Sequence, residues 1–527
     1  MVLMRKRNKL WCNTGLCGIL VVAAAFSVAV PGTAPDAVDT ATIKVCDRIM
    51  RLFGADADHI WPGYNLTVRP MIVYRPDKWA LLLNAKQATE GFSALPVGWP
   101  ETLTRAKYHP GQYRDLVGQL EFDIPVDSGK AAAVPVSDTV MKGSKDSAHL
   151  FLFIVHENFH QFQDEVFVPA DQLSEERYPI TDRENTALAY IEMVILRDAL
   201  NASQAGDDAS VRTALRKFIA VRNTRWNRSA FVRSFEAAEE IREGTAKYVE
   251  VKALDLVQRS FSQAEAQERE AEGYSEYAHP QYLLSEFSSR TKGGTVAPVD
   301  MPRNRIYPVG AAMGMLLDYL GADWKKQLAA DATKSSFVGL LSSALHLGES
   351  EIPTDLVAAK QEYRYDAAVK AADGLIRQHE ESFRSELHEF ENQSGYRVQI
   401  RLASRKLQRS RISSAPRWIV DDGARSFCKQ YEVYTLRSDR FTLNLHNTAV
   451  LEEQDWSAGT KAVTFFVPTE PTVWIEDKKL PTPAGEVKVF RSLKFAADMS
   501  EFQTDVPGRI SVEGHSITID LIPGASF

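Results

Sequence analysis

Cysteine is scarce in this chain, which limits the kinds of metal site and crosslink that it can form. Only 4 of the 527 residues are cysteine. Two of these lie in the first 34 residues, so the rest of the chain has only Cys46 and Cys428. With so few thiols, a zinc site ligated by cysteines is excluded. Export would permit a disulfide between Cys46 and Cys428, but we expect two unrelated buried thiols.

Long apolar runs are equally rare, and the one present lies at the N-terminus. Residues 16–30 are almost entirely apolar, and four basic residues between positions 5 and 9 precede them. A plausible cleavage site follows Ala29. This order predicts a signal peptide over residues 1–34 and an exported protein, periplasmic or secreted; an uncleaved N-terminal membrane anchor is the alternative. No later segment of the sequence is apolar for long enough to cross a membrane.

The chain also lacks an excess of positive charge, which a protein that binds nucleic acid usually has. The formal net charge is −7, and removal of residues 1–34 would take away four basic residues and no acidic ones, giving −11. An acidic body argues against a nucleic-acid partner. Hydrophobic residues make up 44% and charged residues 25% of the chain, as in a folded globular protein. Its length predicts two or three domains.

The spacing of apolar residues divides the chain into three regions. Residues 38–146 combine a short helix with strands bounded by proline and glycine, which indicates an N-terminal α/β subdomain. Residues 147–391 show the three-and-four spacing of helices, which indicates a mainly helical domain. Residues 395–527 change to a period of two, which predicts an all-β domain, sandwich-like or a barrel. The predicted fold class is therefore α+β.

The same spacing predicts individual elements. In the first region we expect a helix over 44–53 and strands over 68–74, 79–83 and 121–126. In the second we expect helices over 147–166, 184–202, 208–222, 231–258, 308–320 and 354–391, with connections over 262–279 and 286–300. In the third we expect strands over 431–436, 441–446, 463–467, 472–476, 486–490 and 516–520.

The clearest chemical signal is an H-E-x-x-H sequence, His156-Glu157-Asn158-Phe159-His160, which follows an apolar run. Residues four apart lie on one face of a helix, so both imidazoles can reach one metal ion. Glu157 projects beside them, where a carboxylate can take the proton of a water molecule. A chain of this composition contains the pattern by chance far less than once. We therefore predict a Zn²⁺ site with His156 and His160 as ligands and Glu157 as general base.

A third protein ligand is needed, because two histidines and a water leave a tetrahedral zinc one donor short. The best-placed acidic residue is Glu243, in Arg242-Glu243-Gly244-Thr245-Ala246. The small residues that follow it would let its helix approach the His156 helix closely. The rival is Glu184, 24 positions after His160. A site without any carboxylate ligand is the third alternative.

These two motifs resemble those of the gluzincin metallopeptidases, in which H-E-x-x-H is completed by the glutamate of an E-G-x-A-x-Y-like segment. The resemblance covers residues 150 to 330 or so. It implies a zincin-like domain with His156, His160 and Glu243 as zinc ligands, Glu157 as general base, and a peptide or protein as substrate. The sequence departs from the family in spacing, because the 82 residues between His160 and Glu243 are more than the family usually has there. Residues 170–230 would therefore have to form an inserted helical pair.

Two further positions bear on the resemblance. Lys247 stands where many gluzincins have a carboxylate that orients a ligand histidine.

Attack on a carbonyl develops negative charge that needs a hydrogen-bond donor besides the metal. Tyr307 directly precedes Pro308 and a tightly packing helix, so its hydroxyl can enter a cleft there, and some gluzincins use a tyrosine at a comparable place. We therefore predict a catalytic role for Tyr307; Tyr248 is a weaker candidate, supported by its residue type alone.

Two functions are compatible with these residues. The first is an exported zinc hydrolase, most simply a metallopeptidase. The second is a non-catalytic exported binding protein, in which the C-terminal β-domain carries the function on a zincin-like scaffold. The intact Glu157 favours the enzyme, because a purely structural zinc site needs no base beside it. The sequence does not specify the oligomeric state.

Overall fold

The computed structural model describes residues 35–521 apart from short gaps. The gaps are residues 57–59, 88, 115, 117, 119, 127–128, 138–140, 142, 168–172, 278–279, 331–334, 348–351, 404–406, 414, 416 and 481–486. About 49% of the structure is helical, with a small N-terminal mixed sheet and a large curled C-terminal sheet. The fold class is α+β, as predicted. The predicted signal peptide lies outside the described residues.

The N-terminal region is a helix followed by a five-stranded mixed sheet. Its elements are α1 Ala37–Asp56, β1 Met71–Arg75, β2 Trp79–Leu83, β3 Lys107–Pro110, β4 Glu121–Val126 and β5 Gly129–Pro135. The strand order is β3-β2-β1-β5-β4, with β1 parallel to β5 and the other neighbours antiparallel. Both faces of β1 and β2 are buried, so these strands are mostly apolar and do not alternate between apolar and polar residues.

Helices make up the middle of the chain. They are α2 Ser147–Val166, α3 Arg183–Gln204, α4 Asp208–Arg228, α5 Ala230–Glu239, α6 Thr245–Ser260, α7 Ala266–Ala271, α8 Gln281–Arg290, α9 Ile306–Tyr319, α10 Trp324–Ala330, α11 Phe337–Leu345, α12 Ile352–Glu362 and α13 Tyr365–Glu391. Two helices, α3 and α4, lie between the two motifs, where a helical pair was predicted. The helix predicted over 231–258 is interrupted by a π-helical turn, Glu240–Gly244. The helix predicted over 354–391 is broken at Arg364, whose φ is 52°.

The predicted connections contain helical structure as well. Helix α7 lies within 262–279, and α8 extends into 286–300. Their apolar content is too low for a clear three-and-four pattern, and contacts with the rest of the helical region decide their structure. None of the described helices is long and apolar enough to cross a membrane. Cys46 and Cys428 are both free and buried, as we expected.

The C-terminal region is one 13-stranded sheet. Its strands are β6 Tyr396–Ala403, β7 Gln408–Ser413, β8 Arg417–Val420, β9 Arg425–Arg437, β10 Phe441–Asp455, β11 Thr460–Val467, β12 Thr472–Ile475, β13 Lys478–Leu480, β14 Val487–Phe490, β15 Leu493–Ala497, β16 Ser500–Thr504, β17 Gly508–Glu513 and β18 Ser516–Leu521. Strand β18 returns to pair parallel with β6, while the other neighbours are antiparallel.

This sheet differs from a sandwich of two separate sheets, the first of the two predicted arrangements, because its strands are joined by hydrogen bonds into a single curled sheet. The long strands β9 and β10 pair with each other along most of their length, with a register shift between Thr448 and Val450. Such irregularities bend a strand and increase its twist, so one sheet can curl around its own core. Apolar side chains such as Tyr434, Phe465 and Ile519 form that core.

Helix α13 joins the helical region to the sheet. Near its N-terminus, Ala372 packs with Ala187 of α3. Near its C-terminus, Phe383 and Phe390 lie in an apolar cluster with Phe427 of β9. The helix has 27 residues, so it spans about 40 Å. It therefore contributes to the packing of both regions at once.

Candidate metal centre

Helix α2 carries the two histidines of the H-E-x-x-H motif on one face. His156 and His160 are one helical turn apart, and their side chains are each 8% exposed. Their Nε2 atoms lie 3.0 Å apart. The apolar residues before the motif bury the helix in the main core, so the two rings are held between α2 and its neighbours.

Glu243 completes a triangle with the two histidines. Its Oε2 atom lies 3.2 Å from Nε2 of His156 and 3.4 Å from Nε2 of His160. Three donors at about 2.05 Å from a tetrahedral zinc would be about 3.3 Å apart, so the edges of this triangle fit that ion. Glu243 lies in the π-helical turn between α5 and α6, a distortion that is frequent at functional sites. The three residues are a group that could hold a metal ion.

The hydrogen bonds behind the rings fix which nitrogen faces the triangle. Nδ1 of His156 lies 2.6 Å from Oε1 of Glu250, and Nδ1 of His160 lies 2.6 Å from Oε1 of Gln163. The Gln163 amide nitrogen donates to Arg242 O and to Thr245 Oγ1, so its oxygen is the acceptor for His160. Both Nδ1 atoms therefore donate, and both neutral rings present Nε2 lone pairs to the triangle.

Three lone-pair donors that face one point repel one another unless a cation lies among them. A metal ion or a proton can supply that charge. Burial lowers the pKa of His156, but hydrogen bonds with Glu243 and Glu250 outweigh it and raise the pKa to about 9. Burial raises the pKa of Glu243, but hydrogen bonds with both histidines hold it far below its usual range. A proton on His156 would therefore compete with a metal ion for the same electrostatic position.

Glu157 and Tyr307 lie next to this triangle. Burial raises the pKa of Glu157; the two histidines lower it and Glu243 raises it again, with a net increase. In the part of the chain that the structure describes, the Glu157 carboxylate has no hydrogen-bond partner. The Tyr307 ring stacks on His156, with ring centroids 5.7 Å apart. Burial and the Glu243 charge raise the pKa of Tyr307, against the effect of Arg303, so its hydroxyl stays protonated.

A contact between two glycines holds the helices that carry Glu243 and Tyr307. A Cβ atom on Gly244 would lie 2.6 Å from the Cα of Gly310, and a Cβ on Gly310 would lie 2.5 Å from the Cα of Gly244. Only glycine at both positions permits this distance between backbones. Of the small residues after Glu243, Thr245 contacts Gln163 of α2, in line with the close approach that we expected, whereas Gly244 contacts Gly310 of α9.

A buried ionic network also connects the π-helical turn with the residue before α9. Its charged members are Arg222 and Arg225 of α4, Arg305 next to α9, Glu192 of α3, Glu236 of α5 and Glu240 of the π-helical turn. All six side chains are at most 2% exposed. Removing one partner of such a network leaves an uncompensated buried charge, which is strongly destabilising. The network therefore fixes the turn that carries Glu243.

The rival ligand and the weaker tyrosine candidate lie elsewhere. Glu184 is in the first turn of α3, where it forms an ion pair with Arg228 and is 39% exposed. It is not part of the group formed by the histidines and Glu243. The hydroxyl of Tyr248 donates to Asp318, and its ring packs against Trp61 and Trp324. It is therefore a core residue.

The sequence prediction missed Gln163, Glu250 and Arg303. The sequence contained a signal for the first two. Gln163 lies three residues after His160 and Glu250 lies seven after Glu243, so each lies near the helix face of a predicted metal ligand. Arg303 precedes Tyr307 by four residues and acts on its hydroxyl. Lys247 does not orient a histidine directly; its Nζ atom lies 2.9 Å from Glu250.

Comparisons with protein-family models, curated proteins and solved structures gave no match for this chain. Its function is therefore inferred from the residues of the candidate metal centre.

Proposed function

We propose that this protein is an exported zinc-dependent hydrolase, most simply a metallopeptidase with a zincin-like domain of the gluzincin type. The observation that carries the proposal is the convergence of His156, His160 and Glu243 on one point, with Glu157 beside them. The donor set, two imidazoles and one carboxylate, is that of a catalytic zinc site, which keeps a further position for water or substrate. The signal-peptide pattern of residues 1–34 supports export.

The side chains around the centre have distinct roles in this proposal. Zinc, when bound, supplies Lewis acidity that polarises a carbonyl group and makes water a better nucleophile. Glu157 removes the proton of the attacking water and returns it to the leaving amine. Tyr307 donates its hydroxyl to the oxygen that becomes negatively charged. Arg303 keeps that hydroxyl oriented and adds positive charge nearby.

Metal analysis of the purified protein tests the ligand set. We expect one zinc per chain, and substitution of His156, His160 or Glu243 by alanine should remove most of it, because each supplies one of three ligands. Glu184→Ala is the matched control and should retain the metal, since Glu184 pairs with Arg228 away from the centre. Full zinc occupancy in the His156→Ala/His160→Ala double variant would refute the site.

Turnover tests the catalytic role of Glu157. Glu157→Gln should keep the fold and the zinc but lose ~10²–10⁴-fold in the rate of digestion of casein or a mixed peptide library, because an amide cannot accept the proton. Glu165→Gln makes the same change on the same helix at a carboxylate that is 60% exposed, and it should retain full activity. If the zinc-loaded wild type cleaves none of these substrates, the non-catalytic binding protein becomes the better description.

A further inference from the structure

Lys247 contacts the carboxylate that lies behind the ligand His156. One oxygen of Glu250, Oε1, lies 2.6 Å from Nδ1 of His156. The other, Oε2, lies 2.9 Å from the Nζ atom of Lys247. The side chains of His156, Glu250 and Lys247 are each 8% exposed, so water screens these charges little. The carboxylate is thus shared between the histidine and a buried cation.

The ammonium group of Lys247 has a complete set of acceptors. Its three N–H groups face Glu250, Glu286 at 2.9 Å, and the hydroxyl of Tyr282. Both Tyr282 and Glu286 belong to α8. Burial by itself lowers the pKa of Lys247, but the two carboxylates outweigh it and raise the pKa well above its usual range. Lys247 is therefore a fixed cation that connects α8 to the carboxylate behind His156.

A shared carboxylate polarises its histidine less than an unshared one. A hydrogen bond from the Nδ1–H of a ligand histidine to a carboxylate makes the ring a better donor to the metal. Lys247 draws electron density from Glu250 and adds a positive charge on the same side as the ligand. Both effects weaken the hold of His156 on a metal dication. Glu286 opposes them, because it competes with Glu250 for Lys247.

We propose that Lys247 is a positioning residue that lowers the metal affinity of the centre through Glu250, and that Glu286 of α8 sets how strongly it does so. The inference rests on the proposed function, since it presumes that His156 is a metal ligand. It gives α8 a role in metal retention although no residue of α8 is a proposed metal ligand. It also gives a reason for a lysine at the position where gluzincins have a carboxylate.

Two variants of the full-length protein should shift zinc affinity in opposite directions. In Glu286→Gln, Lys247 keeps Glu250 as its remaining carboxylate among the described residues, so zinc should bind ~10-fold more weakly. The Lys247→Met/Glu286→Gln double variant removes one cation and one anion together, so net charge is conserved. Glu250 then serves His156 alone, and zinc should bind ~10-fold more tightly. Zinc alone is the probe, measured by competition with a chelating dye.

Controls separate this tuning from a structural role. Lys252→Met changes another lysine of α6, which pairs with Asp318, and should leave zinc affinity unchanged. In a Glu250→Gln background, the Lys247→Met/Glu286→Gln change should have no further effect, because the proposed influence runs through Glu250. Thermal unfolding of each variant confirms that it is folded.

The outcomes are distinct. Opposite shifts in the two variants support the proposal if the Lys247→Met/Glu286→Gln change has no effect in the Glu250→Gln background; an undiminished effect in that background overturns it. Zinc binding with shifts of the same sign, or with affinities within twofold of the wild type, overturns it and leaves the proposed function intact. A folded wild-type chain that binds no zinc overturns both.

Discussion

Alanine at position 244 tests how closely the helices that carry Glu243 and Tyr307 have to approach. The new Cβ would lie 2.6 Å from the Cα and 3.1 Å from the carbonyl carbon of Gly310. Both are backbone atoms, so neither can rotate away. Non-bonded carbon atoms normally approach to about 3.5–4.0 Å. The π-helical turn and α9 therefore have to separate by roughly 1 Å.

This separation should lower the free energy of unfolding only a little but should lower the rate of turnover strongly. Overpacking of this kind costs ~1–3 kcal/mol. Replacing a helical glycine by alanine recovers about 1 kcal/mol, so the net loss of unfolding free energy should be ~0–2 kcal/mol. The same movement displaces Glu243 from the histidines and Tyr307 from its position over His156. A displacement of about 1 Å at such groups can cost ~100-fold in rate.

Gly374→Ala is the matched control. Gly374 lies on the exposed side of α13, and a Cβ there would meet nothing within 4 Å. This variant should therefore gain up to about 1 kcal/mol of stability and keep its activity. Urea unfolding, zinc content and peptide turnover are measured for both variants. Equal stabilisation of the two variants, with full zinc and full turnover in Gly244→Ala, would refute the role assigned to the glycine contact.

Three other perturbations follow from the same structure. Glu250→Gln removes the charge behind His156 and should lower zinc affinity ~10–100-fold in a chelator competition. Tyr307→Phe keeps the ring against His156 but loses the hydroxyl, so kcat should fall ~10²–10³-fold at unchanged zinc content. Burial raises the pKa of Glu176, but Arg417 and Arg411 lower it from 4.5 to about 2, which corresponds to ~3 kcal/mol. A lowered pKa stabilises the fold above pH 4.5 and loses that effect as the pH falls toward 2, so urea midpoints should drop over this range and drop less in Glu176→Gln.

The sequence alone predicted those helices and strands whose bounds depend on the local pattern of apolar residues. The bounds of α2, β2 and β4 coincide with the predicted ranges, because an apolar period and its flanking residues suffice to define such elements. The face shared by His156 and His160 follows directly from helix geometry. Glu243 could be ranked above Glu184 from the small residues after it, even though the partner of Gly244 is Gly310.

The sequence did not predict those features that depend on contacts between residues far apart in the chain. The parallel pairing of β18 with β6 joins residues over a hundred positions apart, and a period of two does not say which strands are neighbours. The break between α12 and α13 depends on a left-handed arginine, which propensity does not signal. The hydrogen bond from His156 to Glu250 spans 94 positions. The seven-residue spacing from Glu243 indicates the face of α6 on which Glu250 lies, but only the packing of α6 against α2 identifies His156 as its partner.

The packing of α13 against both regions limits how the C-terminal sheet could be lost or exchanged. The aromatic face formed by Phe383 and Phe390 is covered by the C-terminal sheet. A shortened protein that ended after α13 would leave this face in water, and exposed apolar patches of that kind promote self-association. Loss or exchange of the sheet during evolution would therefore have to be accompanied by polar substitutions along the second half of α13. One helix thus contributes apolar side chains to the interior of both regions.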